Sequence, residues 1–232
     1  MTHRLSLDEV EQLSYRMLVA SGASAQQAEP TIYAQVDCMQ STSPDYQAVE
    51  TEIWQPIHQE AVKRGIKSGW WFYGVRFGEM SECDYYTANQ YSGEAQLNDP
   101  TSYEDLFAAV HPGKSWDEAW RRTAASRRIV RSELWTWVDG VPPQEFAYLQ
   151  VNLMSAENAD DYTAMEAEVW KPVHQALQQA GHRAGWGVWQ LWSPVGTSVP
   201  YNFAAVDLLT ALGPVPLRSE EHTSELQSHV RI

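Results

Sequence analysis

From Thr31 onward the chain switches repeatedly between two hydrophobic periods. Ile32 to Met39 alternates apolar and polar residues, Pro44 to Arg64 spaces its apolar residues as one face of a helix, and Gly69 to Phe77 and Tyr85 to Tyr91 are aromatic runs of strand type. Asp99-Pro100 reads as a helix start, and Ser115-Trp116-Asp117-Glu118 as a capping box opening a helix to Arg128. Ile129 to Val138 then reads as a strand ended by Gly140 and Pro142-Pro143. The predicted order is βαββαβ, the ferredoxin-like unit of an α+β fold.

The pattern occurs twice. Asp45 to Gln59 returns as Asp161 to Gln175 with nine of fifteen positions identical, and the 116-residue offset persists through Gly65/Gly181, Trp70/Trp186 and Tyr85/Tyr201. Upstream, Tyr33 to Met39 matches Tyr148 to Met154 with one residue less offset. A self-match of this length marks a duplicated domain. The expected organisation is a helical segment over residues 1–30, a first repeat over 31–142, a second over 143–217 and a tail over 218–232. By the same offset the last strand of the second repeat would end near position 254, so that repeat reads as incomplete and the natural protein as longer.

Trp70 and Phe72 face one way along their strand, while Trp71, Tyr73, Val75 and Phe77 face the other. In the second copy Trp186, Val188 and Trp192 oppose Trp189 and Leu191. A strand apolar on both sides needs cover on both, so helices on one side imply a second sheet on the other. Two ferredoxin-like repeats packed sheet to sheet resemble the dimeric α/β-barrel superfamily, and the Trp-x-Pro-x-His-Gln repeats resemble those of uncharacterised bacterial proteins. That resemblance implies a fold and not a function, because its members include haem enzymes, monooxygenases, small-molecule degraders and proteins of no known activity.

Both ends stand outside the repeat. Ser6-Leu7-Asp8-Glu9 opens an amphipathic helix that stops at Gly22, and Leu5 to Pro30 resembles the extreme N-terminus of the malate/L-lactate dehydrogenase family. In that family a Ser-His-Gly segment with the catalytic histidine follows; here Thr31 begins the repeat, so no catalytic residue carries over. A chimeric junction near Pro30/Thr31 and a genuine helical extension both remain open. Arg218 to His229 resembles the translation of a sequencing adapter, and the alternative for this tail is a polar disordered end.

The formal charge of −14 argues against a nucleic-acid or anionic-membrane partner. No run is long enough to span a membrane, and with no signal peptide visible the default location is cytoplasmic. Cys38 and Cys83 align with Leu153 and Val199, so neither a disulfide framework nor a zinc site is expected. No metal or other cofactor is indicated.

The candidate chemistry lies on the repeated helix. On a helical wheel Glu50 falls within the apolar arc of Val49, Ile53, Ile57 and Ala61, and Glu166 falls likewise among Met165, Val169, Val173 and Leu177. A buried carboxylate needs donors or a raised pKa, so each glutamate either ties helix to sheet or serves as an acid, base or ligand anchor. His58 and His174 stand two turns on, about 12 Å along the axis, too far to pair with them. Each either caps a carbonyl or faces a ligand. Trp54 and Trp170 complete the two candidate pockets, Glu50–Trp54–His58 and Glu166–Trp170–His174. Pro56 and Pro172 inside the helices predict a kink in each. The tryptophans number eleven, and those of the strands either fill the core or line an aromatic site.

These readings favour a small-molecule-binding protein with one pocket per repeat. The alternatives are a non-catalytic structural barrel and, on the N-terminal resemblance alone, a malate/lactate dehydrogenase fragment. Exposed edges of an incomplete repeat predict oligomerisation.

Overall fold

In the computed structural model, residues 31–76, 83–196 and 198–212 are described, so the expectations for residues 1–30 and for the tail fall outside the described residues. Strand β1 (Tyr33–Ser41) leads into one long helix, α1, made of Tyr46–Val49, Glu50–Trp54 and Gln55–Lys63. Its middle segment is a π-turn, in which the Gln55 N–H reaches back five residues to the Glu50 carbonyl. Pro56 follows directly. The expected proline kink is thus a widened turn, which removes the ordinary bond pattern just where proline could not supply a donor.

Gly65 ends the helix with φ +75°, while the Gly65 N–H donates to Val62 O and the Ile66 N–H to Ala61 O. This glycine cap turns the chain back toward the sheet. Strands β2 (Gly69–Gly74) and β3 (Tyr85–Tyr91) follow, then the short α2 (Glu94–Leu97), α3 (Tyr103–Val110) and α4 (Trp116–Ser126). Ser102, rather than Asp99-Pro100, caps α3 by accepting from the Asp105 N–H, and Ser115 caps α4 from the Glu118 N–H. Helix α4 runs directly into β4 (Arg127–Val141), which continues through Gly140 because Gly140 and Val141 pair with Gly187 and Trp186.

The second half of the chain supplies β5 (Tyr148–Met154), the helix α5 (Ala159–Met165, Glu166–Trp170 and Lys171–Gln179), β6 (Gly185–Ser193) and β7 (Phe203–Leu209). It reproduces the π-turn, with the Lys171 N–H bonded to the Glu166 carbonyl, and the left-handed glycine at Gly181.

The seven described strands form one antiparallel sheet in the order β2-β3-β1-β4-β6-β7-β5. What the sequence reading casts as two packed sheets is a single sheet joined edge to edge through β4 and β6. It curls. Six strand spacings separate the outer strands, about 29 Å in a flat sheet, yet the Arg76 guanidinium just after β2 lies 6.0 Å from the Tyr148 ring of β5. The concave face covers itself with Trp135, Leu191 and Ala204, joined by Ala34, Val36 and Val206. This satisfies the two-sided apolarity of the strands without a separate second sheet.

On the convex face, α1 packs with α3 and α4 around Val49, Ile53, Ile57, Ala61, Leu106, Phe107 and Ala119. The second repeat has a smaller cluster of Val141, Trp186, Val188 and Phe203 beneath α5.

Contrary to the sequence reading, Cys38 and Cys83 form a disulfide. The antiparallel register of β1 and β3 pairs Met39 with Tyr85, and the Asp84 N–H donates to Met39 O, which sets the two cysteines side by side with Cα atoms 5.5 Å apart. Each finds its partner within the first repeat, so the second copy was no guide.

Candidate functional site

The first helix presents its predicted residues to the sheet in two clusters separated by Trp54. Glu50, at the start of the π-turn, is 1% exposed and accepts from Arg127 Nη1 at 2.8 Å. The same guanidinium lies over the rings of Tyr46 and Trp54, at 5.8 and 5.5 Å. Burial pushes the Glu50 carboxyl above its ordinary pKa, and Arg127 opposes that shift. Trp54 is fixed by its own donor, Nε1 to Thr123 Oγ1 at 3.0 Å.

His58 lies between two indoles, with ring centroids 4.8 Å from Trp70 and 6.0 Å from Trp54. Beyond the glycine cap, Lys67 is 2% exposed and places Nζ 3.1 Å from His58 Nδ1, 2.6 Å from Asn89 Oδ1 and 3.0 Å from the Tyr103 hydroxyl. Three N–H donors thus meet three acceptors, which assigns the His58 proton to Nε2. Burial, reinforced by the nearby Lys67 and Arg127 charges, pulls the His58 pKa down to about 2. Burial likewise lowers Lys67 to about 8. At neutral pH this is a neutral imidazole beside a buried ammonium.

In the second half of the chain the histidine–tryptophan stack recurs. His174 stacks on Trp186 with centroids 4.7 Å apart and planes 7° apart, and Trp170 stands 6.3 Å away. Arg183 takes the place of Lys67 at the repeat offset. Its Nε is 3.1 Å from Asp207 Oδ1, and His174 Nδ1 is 3.3 Å from the same oxygen. Burial lowers the His174 pKa while Asp207 opposes the shift. Glu166 is also buried, but among the described residues no cation reaches it. Burial raises the Glu166 pKa, and the neighbouring Tyr162 hydroxyl opposes that shift.

Lys67, Asn89, Tyr103 and Arg127 escaped the sequence reading. The signal for Lys67 was present, since a basic residue recurs at Arg183 in a chain with only 16 basic side chains. Arg127 carried none, because its role depends on where α4 ends. A second polar cluster, on the concave face, was also missed. Glu133 Oε1 accepts from Arg131 Nε at 3.0 Å and from the Tyr201 hydroxyl, while Trp135 Nε1 reaches Oε2 at 3.3 Å. Burial and the Glu133 charge push Tyr201 up to about 12. A shallow depression of about 220 Å³ beside Gln35, Ser132, Leu134 and Trp192 includes none of the six predicted pocket residues.

Among the described residues no group of three or more His, Cys, Asp or Glu side chains converges as a metal site, and no helix is long and apolar enough to cross a membrane. No family model and no curated protein matches the chain, so the dehydrogenase resemblance of the N-terminal segment gains no support. Solved structures with related architecture include a candidate monooxygenase from Lactobacillus acidophilus NCFM, 10% identical, covering 88% of this chain and 83% of its own, with a TM-score of 0.45. A candidate monooxygenase from Fusobacterium nucleatum is 9% identical over 80% of this chain and 78% of its own, with a TM-score of 0.49. A mutant chlorite dismutase from Candidatus Nitrospira defluvii is 10% identical over 87% and 83%, with a TM-score of 0.39. Similarity this distant transfers neither activity nor cofactor to this chain.

Proposed function

We propose that this protein binds a small organic molecule on the convex side of its curled sheet, with two pseudo-equivalent sites built on two ferredoxin-like repeats. The observation that carries this reading is the recurrence of a neutral histidine stacked on a strand tryptophan, with a basic residue from beyond the helix cap nearby, directly at His58 Nδ1 in the first copy and across the Asp207 carboxylate in the second. Two flat faces and a mixed set of donors and acceptors suit a planar, hydrogen-bonding ligand.

The two copies are not equally open. In the first, Tyr103 closes over Lys67 and every ammonium donor is already used. That closed copy favours the second reading, a structural barrel without a ligand. In the second, Trp170 and His174 are only partly buried, and this is where a ligand has access. The residues proposed for that site are Glu166, Trp170 and His174, with Arg183 and Asp207; Glu50, Trp54 and His58 form its closed counterpart.

The test is a thermal-shift screen of planar organic acids and amides on the full chain, repeated with His174→Gln and Glu166→Gln. A hit whose affinity falls by about tenfold or more in His174→Gln supports the site. Hits insensitive to both substitutions, or none at all, would leave the structural barrel as the better account.

A further inference from the structure

We infer that the outer face of α5, together with the free edge of β5, is a docking surface for a helix–strand polypeptide segment that carries an arginine at the helix–strand junction. The inference does not rest on the ligand reading and competes with it, because the occupant would take Glu166 and Trp170. Its basis is a comparison of equivalent residues within the chain.

Val49, Ile53 and Ile57 of α1 are 0%, 8% and 0% exposed, because Leu106 and Phe107 of α3 and Ala119 of α4 cover them. Their counterparts on α5, Met165, Val169 and Val173, are 36%, 42% and 39% exposed. The sheet repeats the contrast. Strand β1 is flanked by β3 and β4, whereas among the described residues its counterpart β5 pairs only with β7, and Val151 and Leu153 are 49% and 44% exposed. A continuous apolar helix face beside an unpaired strand edge is what a polypeptide partner covers.

The first repeat also specifies the polar chemistry of the occupant. Arg127, at the junction of α4 and β4, neutralises Glu50, and Thr123, one turn earlier, accepts from the Trp54 indole. Glu166 is 4% exposed and no described cation reaches it. A buried carboxylate is costly alone and favourable beside a guanidinium, so the surface selects for an incoming arginine. The occupant is therefore an amphipathic helix running into a strand, with threonine and arginine spaced as Thr123 and Arg127 are. Its strand would add to β5 as β4 adds to β1.

The probe is a synthetic segment of residues 99–141, titrated calorimetrically into the full chain with hydrogen exchange to locate the contact. The expected result is one-to-one binding that slows exchange over 148–154 and 165–179. Affinity should fall at least about tenfold with Glu166→Gln in the chain or Arg127→Ala in the segment, and no further when the two are combined. Val173→Asp, at a position 39% exposed, should abolish binding by a separate route. The proposal is overturned by no binding at about 100 µM, or by affinity indifferent to the arginine. Protection that maps to 33–41 and 46–63 would likewise overturn it, showing exchange with the chain's own β4. So would protection of 165–179 in the chain alone, accompanied by dimer formation, because a second copy would then be the occupant.

Discussion

Arg127 Nη1 sits 2.8 Å from Glu50 Oε1, joining the first residue of β4 to the π-turn of α1. The side chains are 13% and 1% exposed, so the pair is held largely out of water. Its worth shows mainly when one partner is lost, since two buried charges repay their desolvation only together.

Replacing Arg127 with alanine should therefore cost about 3–5 kcal/mol of folding stability, measured by urea denaturation at pH 7. Glu166→Gln should leave the chain as stable or more so. The Glu166 pKa is raised, chiefly by burial, so its contribution is greatest when protonated and is lost as pH rises above the ordinary value of 4.5. A loss of more than about 1 kcal/mol in Glu166→Gln at pH 7 would show that the carboxylate has found a partner.

His58 gives the fold an acid sensitivity. Its folded pKa of about 2 lies below the ordinary 6.5, so the unfolded chain takes up the proton first and stability falls as pH drops below 6.5. This one group should remove about 2 kcal/mol between pH 6.5 and pH 4.5. Denaturation midpoints in that interval should flatten in His58→Gln relative to the parent, and an unchanged slope would refute the buried neutral imidazole. Lys67 acts in the same sense at higher pH, where stability increases between about 8 and 10.5.

Reduction of Cys38–Cys83 releases a crosslink spanning 45 residues. The chain-entropy treatment of such a loop gives about 4 kcal/mol. Unfolding with and without a thiol reductant should differ by that order, and the Cys38→Ala, Cys83→Ala double variant should match the reduced protein. A parent insensitive to reductant would mean that the thiols are not joined in solution.

Gly140 marks the close approach of β4 to β6. A Cβ there would stand 2.5 Å from the Trp186 carbonyl oxygen and would also meet the Trp137 ring. Gly140→Ala should cost about 1–3 kcal/mol through overpacking. Calorimetry on the single variant checks this; a neutral result would show that β4 can give way at this point.

The sequence by itself determined the local elements and displayed an internal self-match. Apolar periodicity separated α1 from the strands, Ser115 marked a helix start, and the self-match indicated which residues correspond. Those signals are carried by neighbours within a few positions, where propensity and capping act. Burial of Glu50 and Glu166 was legible for the same reason, because a helical face is a local property. The partners were not. That Glu50 meets Arg127, that Lys67 crowns His58, and that Cys38 joins Cys83 depended on strand register and on the point at which α4 becomes β4. Joining the repeats edge to edge was likewise a tertiary decision: an apolar strand face demands cover, but the demand is met equally by a second sheet or by the same sheet curling over itself. Only the pairing of β4 with β6 chose between them.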